Sequence, residues 1–224
     1  MQKLFWDNPY QCQLMTKVVS VNENRLLFAE AIGFSFSGGQ ESDTVLVNGL
    51  MVTHSEIENH LIYYTLPSGH GLSEGDVVLM EIDFVRRYKL MRLHFAAELI
   101  LELVQRMLPI EKIGAHIAEH KARIDFSYQH NISDIFDSLL FEYNQIIAKD
   151  MLIRTGFSDE KSQRRYWEIE GFCKVSCGGT HVQSTAEVGF IALKRVNIGS
   201  GKERIEIKLL DPNLGLKDES KLHK

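Results

Sequence analysis

Cys177 and His181 stand four positions apart in Ser176-Cys177-Gly178-Gly179-Thr180-His181, separated by two glycines that let backbone fold closely around a bound atom. About eighty residues upstream, Arg92-Leu93-His94-Phe95-Ala96-Ala97-Glu98-Leu99 puts a histidine and a glutamate at i and i+4, on one face of a helix. Brought together, His94, Glu98, Cys177 and His181 offer nitrogen, oxygen, sulfur and nitrogen, a set that suits zinc in tetrahedral geometry. Taken by themselves, Cys177 and His181 are more often a buried thiol beside a hydrogen-bonded histidine than a metal site. A second histidine pair, His116 and His120, also has i, i+4 spacing. The alternation of Ile117, Glu119, Lys121, Arg123 and Asp125 with Ala118, Ala122, Ile124 and Phe126 gives that segment a period of two, which suits a hairpin rather than a metal-binding helix.

The elements that must position these residues fall into two halves. From Thr16 to about Phe84 the pattern is strand-like, with runs at 17–21, 25–28, 44–47, 51–54, 61–65 and 77–82. Turn formers separate them: Asn22-Glu23-Asn24, the hairpin signal Asn48-Gly49, and a loop at 67–76. Near Asp83 the period changes. Leu90, Leu93, Ala97, Ile100, Leu101, Val104 and Leu108 mark a helix that Pro109 ends. Glu98 lies within its apolar stripe, so something must satisfy the carboxylate, because an unpaired buried charge costs several kcal/mol. A second helix is expected from Asp134 to about Lys149 with Ser133 as N-cap, followed by strands at 151–155 and 167–169 and two closing strands at 190–193 and 204–208. The expected fold class is α+β: an N-terminal antiparallel β domain over 1–85, then an α+β domain over 86–212 with helices packed on an antiparallel sheet, then a flexible tail over 213–224.

Composition bounds the rest. The 224 residues carry a net charge of −5, which argues against a globally basic nucleic-acid binder but leaves room for local phosphate contacts. Candidate basic patches are Arg86-Arg87-Tyr88-Lys89 with Arg92, then Arg164-Arg165, then Lys194-Arg195 with Lys202 and Arg204. The first, one turn from His94, is the favoured one. No apolar run approaches the roughly 20 residues of a membrane span, and residues 1–10 lack a signal-peptide core, so a cytoplasmic protein without membrane contact is expected. Three cysteines, Cys12, Cys173 and Cys177, form no disulfide framework and fit a reducing compartment.

Cys177-Gly178-Gly179-Thr180-His181-Val182, followed by Val188-Gly189-Phe190 and Gly199 to Glu206, closely resembles the end of the editing domain of alanyl-tRNA synthetase and its free-standing AlaX relatives, within the threonyl/alanyl-tRNA synthetase second additional domain superfamily. Three further stretches resemble that family in the same order: Phe36-Ser37-Gly38-Gly39-Gln40-Glu41-Ser42-Asp43-Thr44, Arg92 to Leu99, and Arg123-Ile124-Asp125-Phe126 with Asn144 to Ile147. There are two departures: the family helix reads His-x-x-x-His where this chain has Glu98, and the family's first glycine before the glutamine is Ser37.

The resemblance implies an editing-type fold and a metal-dependent, ATP-independent hydrolase that removes serine or glycine from mischarged tRNA for alanine, acting in trans with Zn2+ as cofactor and tRNA as partner. It implies metal ligands at His94, Cys177 and His181, with Glu98 in the fourth place, and an aminoacyl-facing segment carrying Gly38, Gly39, Gln40 and Thr44. Glu98 and Gln40 are assigned to catalysis, and Gly38, Gly39, Gln40, Thr44 and Arg92 to substrate binding. A hydroxyl such as Thr44 could prefer serine over alanine by hydrogen bonding. The alternative is a non-catalytic relative that binds RNA through Arg86 to Arg92 and has lost the full metal site. No synthetase core or long oligomerisation helix is recognisable, so aminoacylation and nucleotide use are not expected, and oligomeric state stays open.

Overall fold

The computed structural model describes residues 1–210. The tail expected at 213–224 lies outside the described residues. The fold is α+β with mostly antiparallel sheets, as expected from the sequence.

The N-terminal half folds into a seven-stranded antiparallel sheet whose central strands are Val77–Ile82, Gln13–Asn22, Arg25–Phe28 and Leu61–Thr65. Arg25–Phe28 and Leu61–Thr65 show inward and outward side chains in strict alternation, so one face carries Leu26, Phe28, Ile62 and Tyr64 into a core with Val18, Val47, Val78 and Met80. Asn48-Gly49 turns the chain between Val45–Val47 and Leu50–Met51, both residues at positive φ. The parallel pair Gln2–Lys3 with Glu30–Ala31 and a 3₁₀ turn at Leu4–Trp6 were not foreseen, and the strand expected at 51–54 is divided between Leu50–Met51 and His54–Glu58.

Helix α1 (Phe84–Met107) begins where Asp83 accepts a hydrogen bond from the Arg86 N–H, satisfying one of the free donors of the first turn. It packs with helix α2 (Phe136–Ala148) on a four-stranded antiparallel sheet in the order Glu111–Ile117, Ala122–Ser127, Lys202–Leu209, Ile191–Asn197. The N-cap expected at Ser133 is displaced. Asn131 caps a 3₁₀ turn at Ile132–Ile135 by accepting from Ser133 N, and α2 follows.

A three-stranded antiparallel sheet, Arg154–Asp159, Arg164–Ile169 and Cys173–Ser176, leads directly into the Cys177 loop. Buried side chains form two clusters, one between Phe5 and Ile82 and one between Leu90 and Ile207. No helix among the described residues is long and apolar enough to cross a membrane.

Candidate metal centre

His94 is held by α1, buried between Leu93 and Phe95. Cys177 follows the strand Cys173–Ser176, its N–H donating to the Arg165 carbonyl at 3.0 Å. His181 closes the loop and is likewise buried. One ligand atom from each of the three lies within 4.8 Å of the others. The His94 and His181 rings stack at 4.9 Å between centroids, and the Cys177 sulfur sits 3.4 Å from His94 Nε2.

Gly179 makes this approach possible. A Cβ built there would stand 2.1 Å from His94 Cε1 and 2.7 Å from Gln40 Oε1, so any side chain would collide with the imidazole. Gly39 has the same role on the opposing segment. Its φ is +89°, and a Cβ would lie 2.7 Å from the Ala115 carbonyl oxygen. Across that contact Ile117 N–H donates to the Gly39 carbonyl, and Glu41 N–H to the Ile117 carbonyl, fastening the glycine segment to the end of its strand.

Gln40, fully buried, is delivered by this docking. Its amide nitrogen donates to Thr180 Oγ1 at 2.8 Å, and its amide oxygen accepts from the Thr180 N–H at 3.1 Å. Both ends of Gln40 thus hold the loop between Cys177 and His181. Asp43 is anchored to α1 by a fully buried ion pair with Arg87, whose guanidinium also donates to the Ile32 and Pro9 carbonyls. Thr44 is tied to the start of α1, its carbonyl accepting from the Asp83 N–H. Arg92 Nε donates to the Val188 carbonyl at 3.0 Å and its guanidinium lies against Gly189.

Glu98 stands beside the three-residue group rather than within it. Its Oε1 is 3.6 Å from His94 Nε2, and its Oε2 accepts from the Trp167 indole N–H at 3.0 Å. The indole answers the question of what satisfies this carboxylate, a partner 69 positions away that no local pattern could reveal.

The electrostatics are mutual. Burial pushes the Cys177 thiol up, but the neighbouring His94 and His181 reverse that and hold it below the ordinary thiol value. Burial pushes His94 down, and the Cys177 thiolate, then Glu98, outweigh it, so His94 is held above the usual imidazole value. Glu98 is raised by burial but lowered more strongly by His94 and by the Trp167 hydrogen bond, and stays ionised. The pocket therefore favours a thiolate, the form that ligates metals.

Two ring nitrogens, His94 Nδ1 and His181 Nε2, are buried without a hydrogen-bond partner among the described residues. Orphaned buried polar atoms are costly and rare. With His94 Nε2 facing the Cys177 sulfur and His181 Nε2 left without a partner, the group fits a metal ion, and His94, Cys177 and His181 could hold one.

The rival pair is elsewhere. His116 lies on the strand Glu111–Ile117, 3.3 Å from Glu41, with Phe36 near its ring. The favoured basic patch is internally paired in part. Arg86 pairs with Glu41 and Glu119 and Lys89 with Glu119 at the half-buried surface, whereas Arg87 pairs with Asp43 in full burial. Arg195 and Arg204 are similarly paired with Glu203 and Asp125.

The family described as "Threonyl and Alanyl tRNA synthetase second additional domain" matches residues 168–206, the stretch that carries Cys177 and His181. The chain is 28% identical over 214 residues to the alanyl-tRNA editing protein AlaX-M of Pyrococcus horikoshii, covering 93% of this chain and 97% of that protein. It is 29% identical to an alanine–tRNA ligase of Methanococcus maripaludis and 27% identical to one of Sulfurisphaera tokodaii, spanning 25% and 24% of their lengths. The resemblance to AlaX-type editing proteins drawn from the four sequence motifs is borne out.

Proposed function

We propose that this AlaX-type chain is a metal-dependent aminoacyl-tRNA deacylase, acting in trans on tRNA for alanine that carries serine or glycine. The observation that carries the reading is the convergence of His94, Cys177 and His181, distant in sequence, with one ligand atom from each within 4.8 Å of the others. These three residues would hold Zn2+, whose chemistry there is that of a Lewis acid toward an ester carbonyl or a water.

The remaining work belongs to the protein. Glu98, with one oxygen fixed by Trp167, directs the other toward the cluster, where a carboxylate can complete the donor set or accept a proton at Oε1. Gln40 keeps the loop in register by clamping Thr180, an outer contact of the kind that orients ligands. Gly38, Gly39 and Thr44 line the approach of the aminoacyl group in this reading, with Arg92 near the RNA. The division of the chain near residue 85 and a cytoplasmic place of work belong to the same proposal.

The test compares deacylation of seryl-tRNA and alanyl-tRNA by the zinc-loaded protein. Faster release of serine is expected, with loss in Cys177→Ala; a folded, metal-loaded protein that releases neither would overturn the reading.

A further inference from the structure

Lys3 is a buried cation without a counter-ion among the described residues. It is 8% exposed, its ammonium donates to Gln163 Oε1 at 2.7 Å and lies 4.5 Å above the Trp6 ring, and it has no carboxylate partner among the described residues. Burial pushes its pKa down to about 8, the response of an ammonium that lacks an anion. An unpaired buried charge is expensive, and an anion that entered beside it would relieve that cost.

Two cavities flank Lys3. One, of about 250 Å³, includes Asp7 and Glu160 in its wall and so repels anions. The other, of about 170 Å³, has no carboxylate in its wall: Lys3, His60, Ser35, Ser37 and Gln163 supply the polar groups over an apolar floor that includes Phe34. It is far larger than the ~10–15 Å³ one water needs. It also touches the metal loop. Gly178, next to Cys177, forms part of its wall, and the Trp6 indole N–H donates to the Gly178 carbonyl at 2.8 Å. Ser37 brings in the glycine segment from the other side. The cavity is therefore adjacent to the proposed reaction centre and electrostatically suited to a negative group.

We infer that the cavity bounded by Lys3, Ser37, His60, Gln163 and Gly178 is an anion subsite that receives the phosphate of the 3′-terminal nucleotide of the RNA substrate, with Lys3 as its charge partner. This rests on the proposed deacylase reading, for which the terminal nucleotide must lie beside the metal loop. Gln163 orients the ammonium by accepting its hydrogen bond at 2.7 Å.

The experiment measures binding of adenosine 5′-monophosphate, adenosine and inorganic phosphate to the zinc-loaded full chain, alongside the salt dependence of uncharged tRNA binding. Wild type is expected to prefer the monophosphate over adenosine on the order of tenfold, the worth of one charge-assisted hydrogen bond. Inorganic phosphate alone should bind more weakly than the nucleotide. Lys3→Gln should abolish the preference and lower the salt slope of tRNA binding by about 0.7, one single-strand phosphate contact. Gln163→Glu keeps the lysine but gives it an internal counter-ion, and should have the same effect if Lys3→Gln folds poorly. No preference in wild type, or a preference retained in both variants, overturns the inference. Seryl-tRNA deacylation is read separately: activity in wild type without a monophosphate preference sinks the subsite and spares the deacylase, whereas a preference without any deacylation does the reverse.

Discussion

Replacing Gln40 by leucine should loosen the metal loop by an amount the structure allows one to work out. The side chain is fully buried and holds both the Thr180 N–H and the Thr180 hydroxyl, and Thr180 is itself 1% exposed. Leucine has nearly the same bulk but leaves both Thr180 groups unsatisfied, at about 1–3 kcal/mol each. A total of roughly 2–6 kcal/mol is expected, equivalent to a fall in melting temperature of roughly 4–24 °C for a chain of this size. Part of that loss is local to the loop, so zinc affinity should fall with it, by the 10–100-fold typical when an outer-shell contact is removed. Urea unfolding and a zinc-competition titration would measure the two effects. Thr180→Val removes one of the orphaned groups, so Gln40→Leu/Thr180→Val should cost less than the sum of the singles. Additive costs within about 0.5 kcal/mol, or unchanged zinc affinity in Gln40→Leu, would refute the clamp.

Gly179→Ala puts a methyl group 2.1 Å from His94 Cε1, so the variant should fold but lose metal binding, as metal titration can check. Asp43→Asn leaves the fully buried Arg87 guanidinium without its charge partner and should cost about 3 kcal/mol in urea unfolding. Lys3 has a folded pKa near 8 against 10.5 for the free side chain, mainly through burial. The unfolded chain therefore holds that proton to higher pH, and stability should rise as pH climbs from 8 to 10.5. Thermal unfolding of wild type against Lys3→Met, which cannot titrate, would reveal the difference.

Much of the scaffold was legible because local chemistry writes it plainly. The change of period near Asp83 and the stop at Pro109 together outline α1, which runs Phe84–Met107; the cap that Asp83 provides came only with the structure. The alternation after Gly114 marks the strands that remove His116 from contention. What stayed hidden depends on pairing across the chain. The indole that takes up Glu98 is 69 positions away, and the cations from Arg86 to Lys89 look like a free surface until folding brings Glu41, Asp43 and Glu119 against them. The N-cap near α2 was misplaced by two residues because Asn131 and Ser133 are both good caps and a 3₁₀ turn intervenes. Lys3 carried no signal, since a lysine near a chain start reads as solvated until Trp6 and Gln163 close over it.

The central claim is that His94, Cys177 and His181 share one cation. Elemental analysis of the purified protein after exposure to zinc and removal of the excess tests it most directly. About one zinc ion per chain is predicted, falling to background in Cys177→Ala with the fold retained. Folded wild-type protein without zinc, or Cys177→Ala that keeps its full complement, would contradict the account.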